Sequence, residues 1–266
     1  MMRENYKYGD ISSTSGKRIF SFISIIIILI VWIILCELKI VPELFWPAPS
    51  SVVKQFVQLT VQGYKGHTLF GHIGISLYRV MAGFLSGSVL GIFVGMSMGI
   101  NKKVRAMLDP VIELYRPVPP LAYIPIIIIW LGITDVSKIT LLFLASFAVI
   151  VINTRAGVQS VPLEKLRAAY SLGARPKQVL RFVILPNAMP GIVTGMRVAM
   201  GVCWGTLVAA EMVAANSGIG WMVLNASRYL RTDIVIVGII VMGALGYGLD
   251  VFLRYIEKKV FPWRGY

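Results

Sequence analysis

Long apolar runs, separated by short polar and basic stretches, set the character of this chain. A helix crossing the hydrocarbon core of a bilayer needs about 20 mostly apolar residues. Six segments fit that pattern, at about 19–38, 76–100, 118–133, 139–154, 188–213 and 234–253. The third is short, and Pro119, Pro120 and Pro125 interrupt it. Proline lacks a backbone donor, and the carbonyl it frees at membrane depth has to be satisfied by protein. That span is therefore expected to face protein rather than lipid. The predicted class is an all-α integral membrane protein with six transmembrane helices.

The expected organisation follows from these runs: a tail 1–18, a first helix 19–38, an external segment 39–75, a membrane module 76–255 containing a polar loop 155–186, and a tail 256–266. Residues 19–38 are longer than the apolar part of a signal peptide, about 7–15 residues, and no small-x-small cleavage site follows, so they read as an uncleaved span. The first 15 or so residues are expected to be disordered. In the external segment, Phe45-Trp46-Pro47-Ala48-Pro49 leads into an amphipathic stretch to Leu59. It predicts an interfacial helix capped by Ser50 or Ser51 and anchored by Trp46.

Composition agrees with the pattern. Apolar residues make up 57% of the 266 and charged residues 14%, with mean hydropathy +0.77, whereas a soluble domain is about a quarter charged. The net charge of +14 does not point to nucleic acid, because Lys and Arg are dispersed between the apolar runs. They fix orientation instead. Eighteen lie in the two tails, the loop after the second span and the 155–186 loop, against six in the alternate segments. The positive-inside rule then places both termini and the 155–186 loop in the cytoplasm.

Several polar and small residues stand out within the spans. Gly83, Gly87, Gly91, Gly95 and Gly99 recur every fourth residue and form one flat helix face. Such a face lets a second backbone approach closely, either within one subunit or between two. Gly191, Gly195 and Ala199 repeat the device, and the sixth span carries Gly238, Gly243, Gly246 and Gly248. Arg197 falls near the middle of the fifth span and Glu211 near its outer end, with Trp204 and Thr206 between them. A central charge costs roughly 2.5–3.5 kcal/mol on insertion scales. Arg197 either lines a translocation path, together with Trp204, Thr206 and Glu211, or pairs structurally. Arg79 reads as an interface anchor at the mouth of the second span.

Catalytic and metal signatures are missing from the sequence. No phosphate-binding Gly-x-x-x-x-Gly-Lys-Ser/Thr loop occurs. His67 and His72 have the wrong spacing for one helical face and no carboxylate triad, so no metal site is expected. Cys36 and Cys203 lie in or beside apolar runs and read as small apolar fillers.

The 155–186 loop carries the most specific pattern. Pro162 suits a first helical turn after a Ser160 cap, and Glu164 favours the positive end of that helix. Residues 163–172 can form a short helix with Leu166, Ala169 and Leu172 toward one side. Gly173 suits a left-handed terminator. Pro176 can open a second short helix, which Leu185-Pro186 is expected to end.

Ala168, Ala169, Gly173, Leu185 and Pro186 fall at the spacing of the cytoplasmic "EAA" loop, so the chain resembles permease subunits of binding-protein-dependent ABC importers. Arg167 stands where that pattern has Glu. Leu108-Asp-Pro-Val-Ile-Glu-Leu-Tyr-Arg-Pro-Val-Pro-Pro-Leu-Ala-Tyr-Ile-Pro125, Ile129-Trp-Leu-Gly-Ile133, Leu207-Val-Ala-Ala-Glu-Met212 and Gly218-Ile-Gly-Trp-Met222 look like the nitrate/sulfonate/taurine branch, taurine permeases most of all.

The resemblance implies the type I importer transmembrane fold in a bacterial cytoplasmic membrane, surrounded by lipid. It also implies a homodimeric pathway, two ATP-binding subunits and an external substrate-binding protein. The residues it assigns to ATPase coupling are Glu164, Arg167, Ala168, Ala169, Leu172, Gly173, Leu185 and Pro186. The chain itself would hold no cofactor and catalyse nothing, since ATP and magnesium belong to the partner ATPase. The implied cargo is a small sulfonate, taurine first. Aliphatic sulfonates, nitrate, bicarbonate or a pyrimidine vitamin precursor are alternatives, and an ATP-independent carrier is a rival outside the class.

Overall fold

A computed structural model describes residues 14–38 and 42–260. Residues 1–13 and 261–266, which hold most of the expected N-terminal tail and the end of the C-terminal one, lie outside the described residues, as does the disorder expected of the N-terminus. The described chain is helical. In order, the helices are α1 (Thr14–Glu37), α2 (Pro49–Val61), α3 (Leu69–Ile100), α4 (Lys102–Tyr115), α5 (Ile124–Leu131), α6 (Asp135–Gln159), α7 (Leu163–Ser171), α8 (Pro176–Val179), α9 (Leu185–Ala214), α10 (Ile219–Arg228) and α11 (Thr232–Val260).

Helix α6 is the axis of the bundle, and the glycine stripe explains why. Gly83, Gly87, Gly91, Gly95 and Gly99 of α3 meet Leu142, Ser146, Ile150, Thr154 and Val158 of α6, in that order. A Cβ on Gly95 would lie 2.7 Å from Thr154 Cβ, and one on Gly99 2.6 Å from Val158 Cβ. The stripe therefore serves packing inside one subunit. Lipid is as apolar as a leucine side chain, so close backbone approach and dispersion, more than transfer from water, hold two such helices together.

On another face of α6, Asn153 meets Gly195 of α9, and Gly157 meets Ala188 and Gly191. Along α3 and α6 the paired numbers rise together, so these helices are parallel. Along α6 and α9 they run in opposite directions. Helices α9 and α11 are antiparallel as well, because Arg197 meets Glu257 while Trp204 meets Gly246. The C-terminal ends of α3, α6 and α11 therefore share one end of the molecule with the N-terminal end of α9. The 160–184 connection lies at that end.

A parallel pair cannot be joined by a hairpin, so residues 101–134 have to return across the layer. They do so as a broken span. Helix α4 and the segment Pro120–Leu131 meet at 86°. The interrupted span expected over 118–133 therefore begins earlier, with α4 at Lys102. Pro117, Pro119 and Pro120 remove three donors within four residues, and a residue before proline is steered out of helical geometry. Pro119 accordingly sits at φ −59°, ψ 134°.

Other ends are set by caps that the hydropathy pattern does not reveal. Thr68 Oγ1 accepts from Gly71 N at 3.2 Å, which starts α3 well before residue 76. Thr134 and Ser137 form a capping box that starts α6 at Asp135. Helix α2 is capped by neither Ser50 nor Ser51. Its cap residue is Ala48, and Ser51 Oγ points to Glu43 instead.

Candidate functional site

The connection between α6 and α9 holds one of the two expected short helices, α7, and the second starts at Pro176 as expected. Helix α7 ends in a Schellman arrangement: Gly173 N donates to Tyr170 O at 2.9 Å, and Ala174 N to Ala169 O at 3.1 Å. Gly173 sits at φ +78°, a conformation that only a residue without Cβ adopts at no cost. Glu164 lies in the first turn of α7. Lys165 Nζ reaches Asn187 Oδ1 at 2.8 Å, tying α7 to α9. Arg167, Ala168 and Leu172 are exposed, as are the apolar side chains of Leu163, Tyr170 and Phe182. A shallow groove between the helices is lined by Ala169, Leu172, Gly173, Val179 and Phe182 among others. Exposed apolar patches of this kind occur where proteins meet other proteins, membranes or ligands.

Two local expectations are corrected here. Ser160 does not cap α7; its Oγ donates to Gly157 O at 2.8 Å and closes α6, while Pro162 precedes α7. Leu185-Pro186 does not end a helix either. Helix α8 runs through one π-helical stretch, Leu180–Ile184, straight into α9. Together they form a single apolar helix, Pro176–Ala214, of 39 residues. In a π-turn the hydrogen bonds reach five residues back, and Leu185 N bonds Leu180 O. The shifted register lets Pro186, which has no N–H, enter without breaking the rod.

At the other end of that rod lies a buried polar cluster. Glu211 is 1% exposed. Its carboxylate accepts from Arg79 Nη1 at 2.8 Å, Ser76 Oγ at 2.8 Å and Gly220 N at 2.9 Å. Arg79 also bonds Ser217 O at 2.7 Å and reaches Asp135 at 2.7 Å. Ser76 Oγ accepts from Ile219 N, and His72 Nδ1 from Gly218 N. One cluster thus fastens α3, α6, α9 and α10. Arg79 is not the interface anchor the sequence suggested; it is buried and fully engaged. Both ring nitrogens of His72 are also in use, since Nε2 lies 3.1 Å from Tyr64 O.

The four residues expected along a path do not converge. Arg197 Nη1 pairs with Glu257 of α11 at 2.9 Å, and Nη2 approaches Asp250 at 3.5 Å. Trp204 packs against Gly246, Thr206 is buried, and Glu211 belongs to the Arg79 cluster. A cavity of about 370 Å³ opens instead between the α4–α5 break, α6 and α9. From α9 it is lined by Val198 and Val202, and from the break by Tyr115, Arg116 and Val118.

A broken span between parallel helices and a 39-residue apolar rod define a multi-pass membrane protein with an exposed loop at one end. Residues 87–262 match the family described as binding-protein-dependent transport system inner membrane component, and the chain belongs to it. It is 45% identical over 240 residues to the taurine transport system permease protein of Escherichia coli (strain K12), covering 90% of this chain and 87% of that one. It is 33% identical over 253 residues to the nitrate import permease protein of Synechocystis sp. (strain ATCC 27184 / PCC 6803 / Kazusa), covering 93% of this chain and 91% of that one. These place it in the nitrate/sulfonate/taurine branch.

The crystal structure of an amino acid ABC transporter shares the fold at TM-score 0.61 and 18% identity, over 78% of this chain and 96% of that one. The chain is therefore a non-catalytic, multi-pass component of the cytoplasmic membrane with the type I importer architecture.

Proposed function

We propose that this chain is the permease subunit of an ATP-driven importer that carries a small sulfonate, taurine, into the cell by alternating access. Two copies form the pathway. Two ATP-hydrolysing subunits, which hold ATP and magnesium, seat on the 155–186 loops, and an external binding protein delivers the cargo. Both termini and these loops face the cytoplasm; the excess of Lys and Arg in those segments, which persists without Arg116 of the α4–α5 break, supports this. The observation that carries the cargo is the 45% identity to the taurine permease across nearly the whole of both chains.

The geometry supplies a route for coupling. Closure of the ATPase subunits presses on the surface around Leu172 and Gly173. The rod Pro176–Ala214, about 58 Å long at 1.5 Å per residue, carries that displacement to Glu211 and the cluster at the opposite end. The helix is continuous across the π-turn, where Leu185 N bonds Leu180 O, so the displacement meets no loop on the way.

The test is ATP hydrolysis in proteoliposomes that contain this chain with its ATPase and binding protein. Taurine-loaded binding protein should stimulate hydrolysis, and Gly173→Trp should abolish the stimulation. Stimulation by another anion would change the cargo and keep the importer. No association with an ATPase would sink the reading.

A further inference from the structure

Four cations set between the two ends of the bundle are held by protein groups. Arg79 is paired with Glu211 and Asp135, Arg155 with Asp109, and Arg197 with Glu257. Lys138 bonds Thr134 O at 2.9 Å. Arg116 differs: its guanidinium has no carboxylate or carbonyl partner among the described residues.

Depth makes that isolation costly. Tyr115 Oη donates to Leu144 O at 2.6 Å, which pins the α4–α5 break to α6. Leu144 lies near the middle of the 25-residue helix Asp135–Gln159. The cavity that Arg116 lines touches α6 from Leu144 to Asn153, and α9 at Val198 and Val202. Arg116 is thus held by its neighbour at mid-depth, one residue before the chain turns through Pro117. An unpaired arginine at such depth is rarely kept unless it meets a substrate or a wet passage.

We infer that this cavity is a pausing site for the cargo within the membrane, with the Arg116 guanidinium binding its sulfonate. A guanidinium presents a planar fork of donors that matches two oxygens of an oxyanion. The remaining walls are mostly apolar, from Val118, Leu144, Ala148, Val149, Val198 and Val202, and suit a short methylene chain. The volume of about 370 Å³ lies near the lower end of ligand pockets, roughly 300–1,000 Å³. One charge-assisted contact without further clamps favours release as well as entry. The inference rests on the proposed sulfonate-import function.

The test uses the complete transporter in proteoliposomes, with labelled taurine uptake and ATP hydrolysis measured on the same vesicles. Arg116→Gln should lower uptake about tenfold or more, the size expected for losing a hydrogen bond to a charged group. ATP hydrolysis stimulated by the loaded binding protein should persist, and Arg116→Lys should recover part of the uptake. Unchanged uptake in Arg116→Gln would overturn the inference. So would failure of that variant to assemble with the ATPase, which would mark Arg116 as structural. If the wild type moves nitrate or an alkane sulfonate instead of taurine, the cargo assignment fails separately, and the same pair of variants is read on that anion. A wild type that moves only cargo without an oxyanion group would overturn both.

Discussion

Arg79 and Glu211, 132 residues apart, form an ion pair of 2.8 Å in which both side chains are at most 3% exposed. Each end is further held by hydrogen bonds to Ser217 and to Ser76 and Gly220. Removing one partner of a buried pair leaves an uncompensated charge and costs about 3–5 kcal/mol. Arg79→Ala and Glu211→Ala should each lower the thermal unfolding temperature in detergent markedly. Replacing both residues by apolar ones of similar volume should cost less than either single change. Equal loss from the double and single variants would argue against the pairing.

The glycine stripe makes a prediction with an internal control. Gly95→Val places a branched side chain against Thr154 and Val151 O, both 2.7 Å from the first added carbon. Overpacking of this kind costs about 1–3 kcal/mol or more, and folded yield should fall. Gly74 lies on the same helix with nothing within 4 Å of its added carbon. Gly74→Ala should be neutral, or stabilising by up to about 1 kcal/mol, since alanine is the better helix former. Equal yields of the two variants would show that α3 and α6 are not in close contact.

For Arg197, the contact with Glu257 predicts coupling between α9 and α11. Glu257 is 3% exposed, so Arg197→Gln should lower stability through the charge left behind. In a double-mutant cycle with Glu257→Gln, the coupling should fall within about 0.5–3 kcal/mol. A coupling of zero would argue against the pairing of Arg197 with Glu257.

Strain and bulk at Gly173 can be separated. Its φ of +78° penalises any Cβ, while the space around it is empty. A left-handed residue other than glycine costs roughly 1–2 kcal/mol, and asparagine is among those that visit this region most readily. Gly173→Asn should therefore keep most of the coupled ATP hydrolysis that Gly173→Trp loses. If the two variants behave alike, the loop conformation matters and the surface above Gly173 does not.

What could be read from the sequence follows from how local each signal is. The loop helix around Ala168 and its Gly173 terminator are encoded within a dozen residues, and they appear where the spacing predicts. The stripe from Gly83 to Gly99 is also local, although its partner helix is not. The Arg79–Glu211 cluster was invisible because nothing near Arg79 signals a carboxylate so far along the chain. Pro186 misled because the rule that proline ends a helix assumes an α-helical register, and a π-turn changes that register. The prolines after Tyr115 correctly announced an interrupted span. The reversal of direction they achieve became evident only once α3 and α6 were seen to be parallel.

The interlocked surfaces of α3 and α6 have a mechanical consequence. Five successive backbone contacts leave no room for sliding, so the pair has to travel as a single stiff plate. Conformational switching is then left to other seams and to the side of α11 that faces no other helix, where a Cβ added at Gly243 or Gly248 would meet nothing within 4 Å. Hydrogen exchange on the assembled transporter through its ATP cycle should leave Gly83–Gly99 and Leu142–Val158 evenly protected and concentrate its changes along α11 and the α4–α5 break. Deprotection along the plate itself would mean that it shears.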